Sequence, residues 1–449
     1  MECTKILAQE LYEIKQLDSD DKKFIQKLLL DFFAASYAGY SLNKSFSDPV
    51  EEIIFAQGGR EESSVFLNEM KIPAPKAAFM NAIYAHGAEL DDGNKKAMGH
   101  VGVHVIPAVF ALAESLGATY DEVLLALAAG YEAHIRISTA AQPGMVKRSY
   151  HSTGVVGTLA CAAACAKLYK LDAEGIENAI ALATTMTGGL LSYGDSRPAI
   201  KPINPAKAAE NGVLAAMMAA KGIKGPLEAL EGPNGWFNAV TDSYNEDALI
   251  RKDGEHLLLH ECYFKLYPSC RHTHCGLEAA CNLHEKINPA DIIEVFVNIY
   301  PNAIKLAGQI KYPKDQDETK FSIHYTLACA LLNGSYGTAD MHPENMSDEI
   351  RNMISKITLI PDETMENREK AIRGAKVTVN LNSGEKIEEL ILVPKGDPEK
   401  PLSFENIREK LFVCAMGVAK EEKLEKLTEY VKSFSGEEKF IYPTFLIKK

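Results

Sequence analysis

His86-Gly-Ala-Glu89-Leu-Asp91-Asp92-Gly93, continued by Gly99-His100 and by His104-Val-Ile-Pro107, is the stretch on which the reading of this chain turns. Three carboxylates and three histidines fall within it, separated by the loop Gly93-Asn94-Lys95-Lys96. Apolar sequence of helical character precedes the cluster from Ala77 to Ala85 and follows it from Val105 to Leu116. Ionisable groups at a break between two buried helices are costly to desolvate, so their concentration there points to chemistry. The bland alternative is a polar loop whose aspartates cap a helix.

Outward from this stretch the dominant pattern to about residue 260 is helical. Phe24, Leu28, Phe32 and Ala35 follow at helical spacing from a start near Asp20 and Asp21, and Pro49 suits the first turn of a helix running to Gly58. Further helices are expected over 105–117, 121–139, 153–170, 173–187 and 205–222, several rich in Ala and Gly, as in closely packed core helices. After Cys262 the texture changes. Ile292 to Tyr300 reads as a strand and Lys376 to Val393 as a hairpin turning at Asn382-Ser-Gly384, with helices over 273–285 and 320–333. The fold class expected is mainly α. A large all-helical domain at 1–262 is completed by helices in 399–449, with a smaller α+β lid domain inserted at 263–398.

At 449 residues two domains are the default. Hydrophobic residues at 46% and charged residues at 24% fit an ordinary globular protein, and no apolar run reaches transmembrane length. The opening Met-Glu-Cys-Thr-Lys enters amphipathic helix without a signal-peptide core, and nine cysteines lack framework spacing, so a cytoplasmic location is expected. A net charge of −13 argues against nucleic acid as partner, and no membrane partner is expected. Lys95, Lys96, Lys147, Arg148, Arg197, Lys201, Lys207, Lys265 and Arg271 nevertheless gather in or beside the polar motifs. A locally basic pocket on an acidic protein suits a small anionic ligand.

The 86–107 stretch resembles the signature of the MmgE/PrpD family, which includes 2-methylcitrate dehydratase, cis-aconitate decarboxylase and iminodisuccinate epimerase. Four further segments carry the resemblance across nearly the whole chain: Arg148-Ser-Tyr-His151-Ser-Thr-Gly154, Lys201-Pro-Ile-Asn204-Pro-Ala-Lys207, Lys265-Leu-Tyr-Pro268-Ser-Cys270-Arg271-His272-Thr-His274, and Phe321-Ser-Ile-His324-Tyr325. The chain departs from the family pattern at several positions. Glu89 stands where aspartate is frequent, Gly93 where threonine is frequent, Val101 where proline is common and Asn204 where many members have histidine. Cys270 occupies a position that is histidine in decarboxylase-like members, which counts against decarboxylation.

The resemblance implies a lyase for a citrate-like di- or tricarboxylate, most concretely a dehydratase, with decarboxylation or epimerisation as alternatives. No cofactor and no metal are expected, because every step can be assigned to His, Lys and carboxylate side chains. Removing a proton beside a carboxylate builds charge on an oxygen already charged, so cations must hold that group while a base near neutral pKa acts. His100, His151, Asp91, Lys201, Lys265 and Tyr325 are the expected catalytic residues; Glu89, Asp92, Arg271, His272 and His274 are the expected substrate contacts. His151 would sit at a helix N-terminus, where N–H groups favour an anion and a neutral imidazole.

Two readings of other classes compete. Asp91, His100, His272 and His274 could form a metallohydrolase centre, but no His-Glu-x-x-His or paired Cys-x-x-Cys spacing appears. A non-catalytic helical protein holding an anion predicts the same basic pocket without turnover. The Ala-rich helices offer more small-residue apolar surface than one bundle need bury, so a homodimer is expected; sedimentation at micromolar concentration checks it, a monomer being the contrary result.

Overall fold

The computed structural model describes residues 2–192, 200–252, 254–367 and 372–446. Arg197, one of the cations noted above, lies outside the described residues. The fold is mainly α, and the chain forms two compact units, Met1–Tyr263 with Ser403–Lys449, and Phe264–Leu402.

The larger unit begins with α1 (Cys3–Tyr12), α2 (Ser19–Leu42), α3 (Lys44–Ala56) and α4 (Ala74–His86). It continues through β1 (Gly93–Asn94), α5 (Gly102–Leu116), α6 (Tyr120–Ala141), α7 (Ser152–Leu168), α8 (Ala173–Thr184), α9 (Ile203–Ala220) and β2 (Cys262–Tyr263). Local sequence starts the two longest helices. Asp18 accepts the N–H groups of Asp20 and Asp21 at 2.8 Å while Asp21 returns a bond to Asp18, and Thr119 and Glu122 make the same reciprocal cap on α6. Pro49 lies inside α3 and not in its first turn. The reason is Asn43, which closes α2 and opens α3 at once, its carbonyl accepting from Phe46 and Ser47.

Small residues set the packing. A Cβ on Gly39 would lie 1.8 Å from the Tyr84 carbonyl oxygen, and one on Gly212 would lie 2.2 Å from Cys161 Cβ. Thus α2 can meet α4, and α9 can meet α7, only where there is no side chain. The returning segment, α13 (Phe404–Cys414) and α14 (Glu421–Lys432) in chain order, brings Phe434 and then Phe440 against Phe110 of α5, with ring centroids 5.8 and 4.9 Å apart.

The smaller unit contains α10 (His274–His284), β3 (Ile292–Ile299), α11 (Ile323–Asn333), α12 (Asp348–Lys356), β4 (Ile357–Pro361), β5 (Ala375–Leu381) and β6 (Lys386–Ile391). Its sheet has the order β6-β5-β3-β4, with β3 and β4 parallel and the other neighbours antiparallel. Val295, Val297 and Ile299 turn to the buried face, and α10 packs against β5 and β6. The hairpin turn runs through Gly384, whose φ of +85° is open to glycine without strain.

One feature of the core bears on acid stability. His104 and His134 are fully buried with ring centroids 4.8 Å apart, and Cys161 Sγ is 3.4 Å from His104 Nδ1. Burial, reinforced by the charge of His100, brings His134 down to about 3; burial and then His134 hold His104 well below the usual histidine range. Both rings are therefore neutral in the folded protein, while in the unfolded chain they protonate as pH falls below about 6.5. Their contribution to stability is present above that pH and is lost progressively towards pH 3. In urea unfolding, His134→Asn should lose about 2 kcal/mol less than the unsubstituted protein between pH 7 and pH 5. Parallel losses in the two proteins would contradict this assignment.

Candidate functional site

The site is built where α4 stops. His86 is its last residue, and Gly87 follows so close to Gly39 that a Cβ there would lie 2.9 Å from the Gly39 Cα. Glu89 then takes a left-handed backbone conformation with φ +56°, uncommon for a residue with a side chain, before Asp91 and Asp92 run into β1. The strand pairs with β2, an antiparallel contact where the sequence suggested only a loop. Beyond it, Ser138 Oγ and Ser152 Oγ donate to the carbonyls of Ala97 and Met98, and the His100 N–H donates to Thr153 Oγ1. The loop is thereby fixed to α6 and to the start of α7.

Asp91 lies between two imidazoles. His86 Nδ1 is 3.0 Å from Asp91 Oδ1, and His100 Nδ1 is 2.8 Å from Asp91 Oδ2 and 2.9 Å from the Asp92 carbonyl oxygen. A carboxylate and a carbonyl only accept, so both histidines carry their proton on Nδ1 when neutral, and both Nε2 lone pairs are turned away from Asp91. Burial opposes the charge of Asp91, but His100 and then His86 overcome it and hold its carboxyl well below the ordinary range. Burial drives His86 down to about 4 against the pull of Asp91.

Three further groups complete the cluster. Glu89 accepts from Lys201 Nζ at 2.6 and 2.5 Å, and its Oε1 lies 3.5 Å from His100 Nε2. His151 immediately precedes α7, its ring 6.5 Å from that of His86, and Asn204 Nδ2 donates to its Nδ1 at 2.9 Å. That bond places the proton of a neutral His151 on Nε2, the opposite tautomer to His100. Burial, followed by the Lys201 charge, holds His151 well below the usual range. The next two residues bind the loop: Ser152 Oγ donates to the Met98 carbonyl and Thr153 Oγ1 accepts the His100 N–H.

Asp92 faces another way. It accepts the Gly102 N–H at 2.9 Å and the Tyr131 hydroxyl at 3.0 Å, tying the start of α5 to α6. Burial, with Asp31 and Asp91 nearby, pushes its carboxyl up to about 8. The structure thus brings together His100, His151, Asp91, Glu89 and Lys201, with Asp92 behind them.

The other sequence candidates belong to the smaller unit. Lys265 is fully buried there. Arg271 pairs with Asp397 and donates to His274 Nδ1 at 2.8 Å, His274 Nε2 lies 3.3 Å from the Ser269 carbonyl, and His272 bonds the Tyr300 hydroxyl. Tyr325 donates to the Asp340 carbonyl at 2.6 Å. Among the surrounding cations, Lys96 pairs with Glu261, Lys207 with Glu210 and Arg148 with Asp242. A groove of about 800 Å³ lined by Asp18, Asp20, Asp21, Lys252 and His256 contains none of the clustered residues.

Sequence reasoning missed two supports. One is His86, whose position at a helix end beside three acids is a usable signal. Lys410 had none. From α13 its ammonium bonds Asp31 at 2.5 Å and the Leu90 carbonyl at 2.7 Å, gripping the loop between Glu89 and Asp91. Both partners of this ion pair are buried, so removing one leaves an uncompensated charge beside Asp92. Lys410→Met should lower unfolding free energy by about 3–5 kcal/mol, and Asp31→Asn in the same chain should restore part of it. Additive losses in that double-mutant cycle would remove the coupling.

The comparisons with known proteins agree with the signature read in residues 86–107. The MmgE/PrpD N-terminal domain matches residues 9–247 and the MmgE/PrpD C-terminal domain residues 267–435. A cis-aconitate decarboxylase-like protein of Aspergillus oryzae is 26% identical, covering 96% of this chain and 94% of its own length. The cis-aconitate decarboxylase of Homo sapiens is 25% identical over 94% of this chain and 89% of its own. The 2-methylcitrate dehydratase of Escherichia coli K12 is 25% identical over 52% of this chain and 51% of its own. With both domains matched over most of its length, the chain belongs to the MmgE/PrpD family.

Proposed function

We propose that this protein is a lyase for a citrate-like di- or tricarboxylate, working without a cofactor by proton transfer beside a carboxylate. The observation that carries the reading is the pair of opposite tautomers held in one buried cluster, a basic Nε2 on His100 and an Nε2–H on His151. In dehydration His100 Nε2 takes the proton from the carbon next to a carboxylate. The electron pair left behind forms the carbon–carbon double bond as the hydroxyl leaves with the proton that His100 has taken, as water, and His151 Nε2–H donates a hydrogen bond to the departing oxygen. Asp91 stabilises the His100 imidazolium that forms. Lys201, paired with Glu89 before substrate arrives, is the cation of the cluster suited to a substrate carboxylate.

Dehydration is the first reading because Cys270 stands where decarboxylase-like members have histidine. Decarboxylation is the second, supported by the near full-length likeness to proteins named as cis-aconitate decarboxylases. The two differ in what leaves: water in one, carbon dioxide in the other, with a proton then delivered to carbon.

The experiment is a panel of citrate, 2-methylcitrate and cis-aconitate, followed by proton NMR in heavy water and by carbon dioxide release. His100→Ala and His151→Ala should each lower turnover about 100-fold or more on the substrate found, with melting temperature measured on the same samples. Folded His151→Ala with full activity would falsify the assignment.

A further inference from the structure

The arrangement around Asp91 has a consequence that proton transfer does not use. A divalent transition ion bound by histidine needs a lone pair on one ring nitrogen and, on the other, an N–H donated to a carboxylate or carbonyl. His86 meets that requirement through the Asp91 carboxylate and His100 through the Asp92 carbonyl, and neither has to release a proton to become a ligand. His86 Nε2 is buried with no hydrogen-bond partner. It points towards Glu89 Oε2 at 4.0 Å, while His100 Nε2 lies 3.5 Å from Glu89 Oε1.

These three donor atoms fall within 4.8 Å of one another. Ligands of a tetrahedral zinc ion, with bonds near 2.0–2.1 Å, stand about 3.4 Å apart, so small side-chain movements close the set. Two imidazoles and one carboxylate match zinc-class ions and are a poor set for the hard ions magnesium and calcium, which prefer oxygen. Against them stands Lys201, whose ammonium holds both oxygens of Glu89.

We propose that His86 Nε2, His100 Nε2 and Glu89 form a binding site for a zinc-class divalent ion, and that the ion competes with the Lys201 ammonium for the Glu89 carboxylate. The bound ion takes the lone pair of His100 and separates Lys201 from Glu89. On the function proposed above, on which this consequence alone rests, zinc is therefore an inhibitor and not a cofactor. A fourth position is left for water or a substrate carboxylate.

The test is a titration of EDTA-treated, full-length protein with zinc against a chromophoric chelator, with magnesium as the control ion. The unsubstituted protein should bind one zinc that magnesium does not displace. Lys201→Met, which removes the competitor, should bind it about tenfold more tightly or better. His86→Gln and His100→Gln, each also made in the Lys201→Met background and checked by circular dichroism, should weaken it at least tenfold. The gain in Lys201→Met keeps the test decisive if a histidine variant fails to fold. Zinc affinity unchanged or lowered in Lys201→Met, or unchanged in folded His100→Gln, overturns the site. An EDTA-treated enzyme that is inactive until zinc is added overturns the competition, because the ion is then a cofactor. Binding is read without turnover, so the expected affinities in a protein active on none of the acids tested would leave the metal site standing and remove the proposed reaction.

Discussion

Everything at the site depends on one buried carboxylate, Asp91, shared by two histidines. A lone ionised aspartate in that position would be neutralised by protonation. With His86 and His100 beside its two oxygens it stays charged; it keeps the His86 proton on Nδ1, as the adjacent Asp92 carbonyl does for His100. The tautomers follow from that constraint, and so does the direction in which each Nε2 lone pair faces.

The arrangement needs a rigid surround, since an imidazole displaced by an ångström loses both its partner and its orientation. Helix α4 ends in contact with α2 through Gly87 and Gly39, and the chain turns two residues later at Glu89. Lys410 holds the Leu90 carbonyl from the opposite end of the sequence, and its partner Asp31 keeps that ammonium from being an isolated buried charge. Asp92 and Tyr131 secure the start of α5. Charge alternates through this region, from Lys410 to Asp31 and from Lys201 to Glu89, so each group is stabilised by a neighbour that is itself held.

Opposite proton placement on His100 and His151 comes from their different neighbours. One donates to acceptors that have no proton to give; the other accepts from the Asn204 amide. Asn204 stands where the resemblance read from the sequence led to the expectation of histidine. The departure therefore bears directly on the protonation of a clustered histidine.

Much of this was legible in the sequence by itself. Helical spacing from Phe24 to Ala35, the Ala- and Gly-rich runs and the hairpin around Gly384 are local patterns, and local patterns survive being read without coordinates. The motif segments around His100, His151 and Lys201 were each identifiable, because chemistry concentrates unusual residue types. Their convergence was decided only by tertiary structure. The antiparallel pairing of Gly93–Asn94 with Cys262–Tyr263, the bond from Asn204 to His151, and the reach of Lys410 to Leu90 join residues 53 to 320 positions apart. No periodicity encodes such contacts. They arise when glycines let helices touch, and burial then obliges each polar group to find whatever partner the packing has brought within reach.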